Sequence, residues 1–141
     1  MAADDGRVST LSGWWYNQLG TRLELIASED GSMRGSIHSE VGGVAGVRPA
    51  VGYVCPVSGR RGAIGWVVSW DGTHSIATWC GHYDLDEDVI AANWLLTAAD
   101  FDENEWQSTR VGRDVFRRAE VSTQGSEAGR PQRASEPAPT R

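Results

Sequence analysis

Positive charge is scarce in this chain. Its 141 residues carry 13 Lys and Arg against 19 Asp and Glu, a net charge of -6. A nucleic-acid binder needs a basic patch to meet phosphates, so this balance argues against one. Long apolar runs are also missing. No stretch of about 18 apolar residues exists, so no membrane-spanning helix is expected, and no membrane partner. The first ten residues, MAADDGRVST, are too short and too polar to read as a secretory signal. No His/Cys/Asp cluster has metal-ligand spacing, since His38, His74 and His82 are scattered, and no metal or cofactor is expected. Proline is rare, five in all with three beyond residue 130. No segment of a dozen residues shows convincing 3.6-residue periodicity with caps.

What the chain has is glycine and tryptophan, 17 and 7, set between short runs that alternate apolar and polar. This pattern predicts strands and turns. Residues 12–19, SGWWYNQL, read as a first strand with Trp15, Asn17 and Leu19 on one face; Trp14 and Tyr16 take the outer one. Residues 21–27 form a second, with Thr21, Leu23 and Leu25 in phase, followed by the turn Ser28–Gly31. Met33–Ser39 is a third, presenting Ile37 and Ser39 together. Glu40–Val47 holds three glycines and reads as a surface connection or as a lid over a pocket. Arg48–Cys55 is the fourth strand and Pro56–Arg61 a turn with exposed arginines. Gly65–Tyr83 is the centre of the pattern: two strands about Asp71-Gly72, a strong hairpin signal. Asp84–Asp88 is an acidic corner, Val89–Thr97 a seventh strand, and Glu105–Arg117 an eighth. Residues 122–141 lack aromatics and predict disorder. The domain plan is a flexible segment over 1–11, a barrel over 12–118 and a disordered tail over 119–141.

Eight such strands predict an all-β fold, an eight-stranded antiparallel up-and-down β-barrel, because closure removes sheet edges. An open sandwich of the same strands is the alternative. An eight-stranded barrel leaves room for one small ligand. Period-two phasing puts Trp70 on a face of the hairpin and Ser75, Ala77 and Trp79 together on the other strand. Aromatic walls beside a few hydroxyls describe a pocket, although core tryptophans in a hairpin are the plainer reading. Trp66 reads as core.

WYNQLG at 15–20, GWVVSW at 65–70, THSIATWCGHY at 73–83, NWLLT at 93–97 and NEWQSTRVGRDVF at 104–116 together resemble the avidin and streptavidin family. The resemblance spans about Gly13–Arg117. It implies a secreted barrel that binds biotin without catalysis, most often as a homotetramer. It assigns roles by position. Asn17 and Thr21 hold the ureido oxygen, and Ile37 stands where the family has a tyrosine donor. Ser39 and Asp114 accept from the ureido nitrogens. Trp70, Trp79 and Trp94 form the aromatic box, and Trp106 reaches over from a neighbouring subunit. Ser75 lies near the ligand carboxylate, and Ala77 replaces a threonine that meets the ligand sulfur. Leu19, Val41, Gly42 and Gly43 line the pocket, the last three on the lid. The chemistry agrees: a cyclic urea offers one strong acceptor and two donors, which suit Asn17 and Thr21 on one side and Ser39 and Asp114 on the other.

Ile37 cannot donate a hydrogen bond, which typically costs about 1–3 kcal/mol when the partner stays buried. Affinity roughly ten- to a thousandfold below the tightest members follows, at about 1.4 kcal/mol per decade. The same change is the sequence feature for a different small ligand. A peptide, including the chain's own tail, is a further alternative. Asn93, Leu95 and Val111 are outward candidates for subunit contacts, while Arg113 beside Val111 leaves a dimer open. Cys55 and Cys80 lie on strands separated by another, about 10 Å apart, too far for a disulfide within one chain. An enzyme is the weakest reading. His74, Ser75 and Asp114 hold triad residue types, but adjacent residues on a strand face opposite ways.

Overall fold

A computed structural model describes residues 7–39, 46–70, 74–99 and 109–118. Eight strands follow in chain order: β1 (Gly13–Tyr16), β2 (Arg22–Ala27), β3 (Ser32–Ser39), β4 (Gly46–Ser58), β5 (Arg61–Trp70), β6 (Ser75–Asp84), β7 (Val89–Ala98) and β8 (Thr109–Arg117). Each pairs antiparallel with the next, and β8 returns to β1, closing an up-and-down barrel. The open sandwich is thereby ruled out. The alternation behind the prediction is the burial pattern itself. In β6, Ser75, Ala77, Trp79 and Tyr83 are buried while Ile76, Thr78, Cys80 and His82 are exposed.

Several boundaries differ from the sequence reading, each for a local reason. β1 ends at Tyr16, three residues early. The Asn17 side chain accepts from the backbone N–H groups of Leu19 and Thr21, so the chain turns there and does not continue extended. β4 runs on through Pro56 to Ser58, and the expected turn over Pro56–Arg61 shrinks to Gly59 and Arg60. A register shift between Pro56 and Ser58 accommodates the imino acid. β5 accordingly begins at Arg61, four residues before the predicted start. Residues 8–11, expected within a flexible lead, form a 3-10 turn with Val8 and Leu11 buried. The Asp71-Gly72 turn, most of the 40–47 connection, the start of the predicted eighth strand and the 119–141 tail lie outside the described residues.

The barrel has one stoppered end. Trp15 donates through Nε1 to the carbonyl of Leu11 at 2.9 Å, which holds the 3-10 turn across the opening. Full burial of a Leu11-sized side chain contributes about 1.5–3 kcal/mol. Arg118 fastens the same end: its guanidinium lies 4.2 Å above the Trp15 ring and donates to the carbonyls of Thr10 and Ser12. Leu23, Leu25, Ile64, Ile90 and Phe116 complete the core. Up-and-down topology then puts the ends of β1, β3, β5 and β7 and the starts of β2, β4, β6 and β8 together at the opposite end, the open end of the barrel.

At the acidic corner Asp84 accepts from the backbone of Asp86 and Glu87. Arg60 pairs with Asp86 at 2.7 Å and Arg61 with Asp84 at 3.2 Å. It is thus tied by arginines, and among the described residues no carboxylate group is arranged to hold a metal. Cys55 and Cys80 are both free and exposed, and β5 lies between their strands.

Candidate functional site

The most informative side chain in the interior is Asn17. It is 2% exposed. Its Oδ1 accepts from Leu19 N and Thr21 N, both at 2.9 Å, while Thr21 O receives the Asn17 N–H at 3.0 Å. Two N–H donors can only face an oxygen, so the hydrogen bonds fix which end of the amide is which. That leaves Nδ2 turned inward, buried and without a hydrogen-bond partner. A buried amide donor in that condition is costly unless something accepts from it. Leu19, predicted to continue a strand, instead sits in this turn and supplies one of the N–H groups that orient the asparagine.

Asp114, on the inward phase of β8, is fully buried. Trp79 Nε1 donates to its Oδ2 at 3.0 Å, which orients the carboxylate and leaves acceptor capacity on Oδ1. Thr21, Ser39 and Ser75 are the other buried polar residues, each at 3% exposure or less. These five account for all the buried polar or charged side chains among the described residues, and every one was picked out from the sequence.

The aromatic wall is built by register. Trp66, Trp79 and Trp94 pair in sequence across β5, β6 and β7, and Gly52 and Gly112 end the row on β4 and β8. Directly paired residues share a face and neighbouring strands lie about 4.8 Å apart, so the three indoles form a continuous band. Trp66 stacks on Trp79 at 5.6 Å and 15°, with Phe116 edge-on to it at 5.7 Å. That makes Trp66 support for the band, as its core reading expects. Gly112 has a specific purpose. A Cβ there would fall 2.2 Å from Cζ2 of Trp94, so only glycine lets that ring lie across β8. The sequence reading missed this role; its only trace was a glycine inside an alternating strand.

Trp70 closes β5 and Ser75 opens β6, both buried and paired at the open end. Ala77 and Ile37 are fully buried on inward phases. His74, by contrast, is exposed with a left-handed backbone, φ 55, so it does not share a face with Ser75. Val41, Gly42, Gly43 and Trp106 lie outside the described residues.

A closed eight-stranded barrel with an aromatic band, a few buried acceptors and an inward amide donor defines a small-molecule-binding barrel. The chain matches the family model described as the Avidin family over residues 6–119, most of its length, and it belongs to that family. Members are non-enzymatic barrels, and biotin is their ligand and not a catalytic cofactor.

Proposed function

We propose that this barrel binds biotin non-covalently, one molecule per chain, with the ureido ring between Asn17 and Asp114. The observation that carries the reading is the inward Nδ2 of Asn17, a buried donor held in place by two backbone bonds. A urea oxygen is a strong acceptor that would complete it. The Thr21 hydroxyl is a second donor to the same oxygen. Ser39 and Asp114 accept from the two urea N–H groups, and the ionised carboxylate makes the stronger bond. Trp70, Trp79 and Trp94 enclose the apolar part of the ligand; Trp106 and the 41–43 lid are assigned here by family position only. Ile37 supplies no hydrogen bond and Ala77 none to the ligand sulfur, so affinity sits below the tightest relatives.

Outward positions support self-association. Val51, Tyr53, Ile76, Leu95 and Val111 are apolar or aromatic and 44–73% exposed on β4, β6, β7 and β8. A groove of about 550 Å³ runs between Val51, Tyr53, Val67 and Thr78. An apolar surface spread over four strands is what a monomer normally avoids. A homotetramer covers it, or a dimer if Arg113 disfavours one interface. Export from the cell is the corresponding reading of localisation and rests on the family alone.

Calorimetric titration with biotin tests the function. Nanomolar or tighter affinity near one ligand per chain supports it. Micromolar or absent binding by a folded protein means that the barrel serves another ligand. Light scattering on the wild type and on Val111→Glu tests the assembly, which should become smaller in the variant.

A further inference from the structure

The net charge of -6 is not spread evenly over the chain. The described residues hold ten arginines against eight Asp and Glu, and the other residues hold three against eleven. Within the barrel the acids gather away from the outer wall. Glu29 and Asp30 sit in the β2–β3 turn, Asp84, Asp86, Glu87 and Asp88 at the β6–β7 corner, and Asp114 inside. Apart from Asp84, which pairs with Arg61, Glu24 is the one acid on the outward face of a described strand. The same face carries Arg22 on β2, Arg34 on β3, and Arg113 and Arg117 on β8. Among the described residues the arginine–carboxylate pairs belong to Arg60, Arg61 and Arg118, and none of these four has one.

These four cations share one sector, because β8, β1, β2 and β3 are consecutive around the closed ring. Tyr16 of β1 pairs with Arg117 on one side and Arg22 on the other, and Arg22 pairs with His38. Directly paired residues share a face, so Arg117, Tyr16, Arg22 and His38 form one outward row, with the two arginines about 10 Å apart at the backbone. Trp14 lies beside the row. The Arg22 guanidinium is 5.9 Å from its ring centroid, and His38 meets the ring edge-on at 5.0 Å. The Ser36 hydroxyl is 3.0 Å from Nε2 of His38. Arg34 stands four residues before His38 and Arg113 four before Arg117, each about 13 Å along its strand. The apolar groove and the exposed Val51, Tyr53, Ile76 and Leu95 belong to the other side of the barrel. Self-association through that side leaves the cationic sector outside.

We propose that the outward sector of β8, β1, β2 and β3 binds an acidic polysaccharide. Charge complementarity names the partner as an anion. Spacing names it as a polymer: cations about 10–13 Å apart are too spread for one small anion to use them all, but each can take a successive acid group of an extended chain. A guanidinium fork matches carboxylate and sulfate alike in two-point geometry. Between the forks Tyr16, Ser36 and His38 supply hydrogen-bonding groups suited to sugar hydroxyls. The groove that the side chains of an acidic peptide would fill lies on the other side of the barrel. A nucleic acid fits less well, because Trp14 has Arg22 over its face and His38 at its edge and is not an open platform for a base. Trp14 instead steadies the Arg22 fork, which loses less freedom on binding. The proposal is independent of what the pocket holds.

The test uses heparin and polygalacturonate, one sulfated and one carboxylated, as immobilised probes for the full chain at neutral pH. A protein of this net charge should pass through an anionic column unless a local cationic face holds it. Wild type should be retained by both at low salt and released as salt rises past about 0.15 M, where the screening length is about 8 Å. Affinities for soluble heparin are then measured for wild type, Arg22→Gln, Arg117→Gln, the double variant, Trp14→Ala and Arg61→Gln, with a thermal melt of each to check folding. Exposed ion pairs are modest in water, so each of Arg22→Gln and Arg117→Gln should weaken binding about two- to fivefold, and the double variant about four- to 25-fold. Trp14→Ala should act through Arg22 and cost about two- to fivefold. Arg61→Gln, outside the sector, should bind as wild type does. Biotin titration should be the same in all of them. Passage of folded wild type through both columns overturns the proposal, as does a double variant that binds heparin like wild type. Equal retention on a plain sulfonate resin, or equal affinity for single-stranded DNA of matched charge, overturns the assignment to polysaccharide. None of these results bears on the biotin reading.

Discussion

Asn17 has two tasks that a single substitution can separate. Its oxygen holds the β1–β2 turn through two 2.9 Å bonds, and its nitrogen is a buried donor without a partner, which the proposed function gives to the ligand. Asn17→Ala removes both. The abandoned Thr21 N–H is buried and costs about 1–3 kcal/mol; the Leu19 N–H is part-buried and costs less, so the ligand-free protein should lose about 1–4 kcal/mol if neither finds another acceptor, out of a typical 5–15 kcal/mol. Asn17→Asp keeps an oxygen facing Leu19 N and Thr21 N and should preserve the turn. It replaces the inward donor with an acceptor. The urea oxygen then lacks one bond, worth about 1–3 kcal/mol or roughly five- to 150-fold in affinity, and meets a carboxylate besides. Loss of at least about a hundredfold is the expected result. The assays are thermal melting without ligand, then titration with biotin. The reasoning is refuted if Asn17→Asp binds biotin as tightly as wild type. It is refuted equally if that variant melts as low as Asn17→Ala, for the oxygen bonds would then not be what holds the turn.

Three further outcomes follow from the geometry. Ile37→Tyr should restore a donor to the ligand and tighten biotin binding by up to about tenfold. The position is fully buried, so overpacking should cost about 1–3 kcal/mol of ligand-free stability by denaturant titration. Gly112→Ala should displace the Trp94 ring from β8, lowering affinity at least tenfold, on the order of 1.4 kcal/mol, with a change in tryptophan fluorescence. His38 lies outside the barrel beside Trp14, Ser36, Arg22 and Glu24. Desolvation lowers its pKa from 6.5, as does the Arg22 charge, against an opposing pull from Glu24. A histidine held neutral in the fold costs nothing above its unfolded pKa and destabilises as pH falls below it. Wild type should therefore lose more melting temperature than His38→Gln between pH 8 and pH 5; equal losses would show that His38 carries no such linkage.

The order and number of strands were legible because period-two alternation is imposed by the pleat, and this chain keeps it on every strand. The buried polar residues were legible for the same reason: Asn17, Ser39, Ser75 and Asp114 stood in apolar phases where a polar side chain needs a purpose. What was not legible was decided by single bonds. The end of β1 depends on an asparagine oxygen bonding forward to two N–H groups, which competes locally with the strand. The length of β4 depends on a register shift that lets Pro56 remain paired, against the ordinary reading of proline as a breaker. The docked turn at residues 8–11 depends on Trp15 and on Arg118, more than a hundred positions later in the chain.

The seam between β1 and β8 gives the ligand a structural part to play. The two strands share one register pair, Tyr16 with Arg117, where the other neighbours share four to ten. Side chains reinforce it, with Gln18 Oε1 accepting from Val115 N at 3.3 Å and Arg118 clasping the first turn. Asn17 lies immediately on one side of this seam and Asp114 on the other. A molecule bonded to both is a cross-brace over the least-paired joint of the cylinder. Occupancy and closure are then one equilibrium: amides along β1 and the end of β8 should exchange hydrogen earliest in the empty protein and slow most on binding, and whatever spreads the joint should release the ligand.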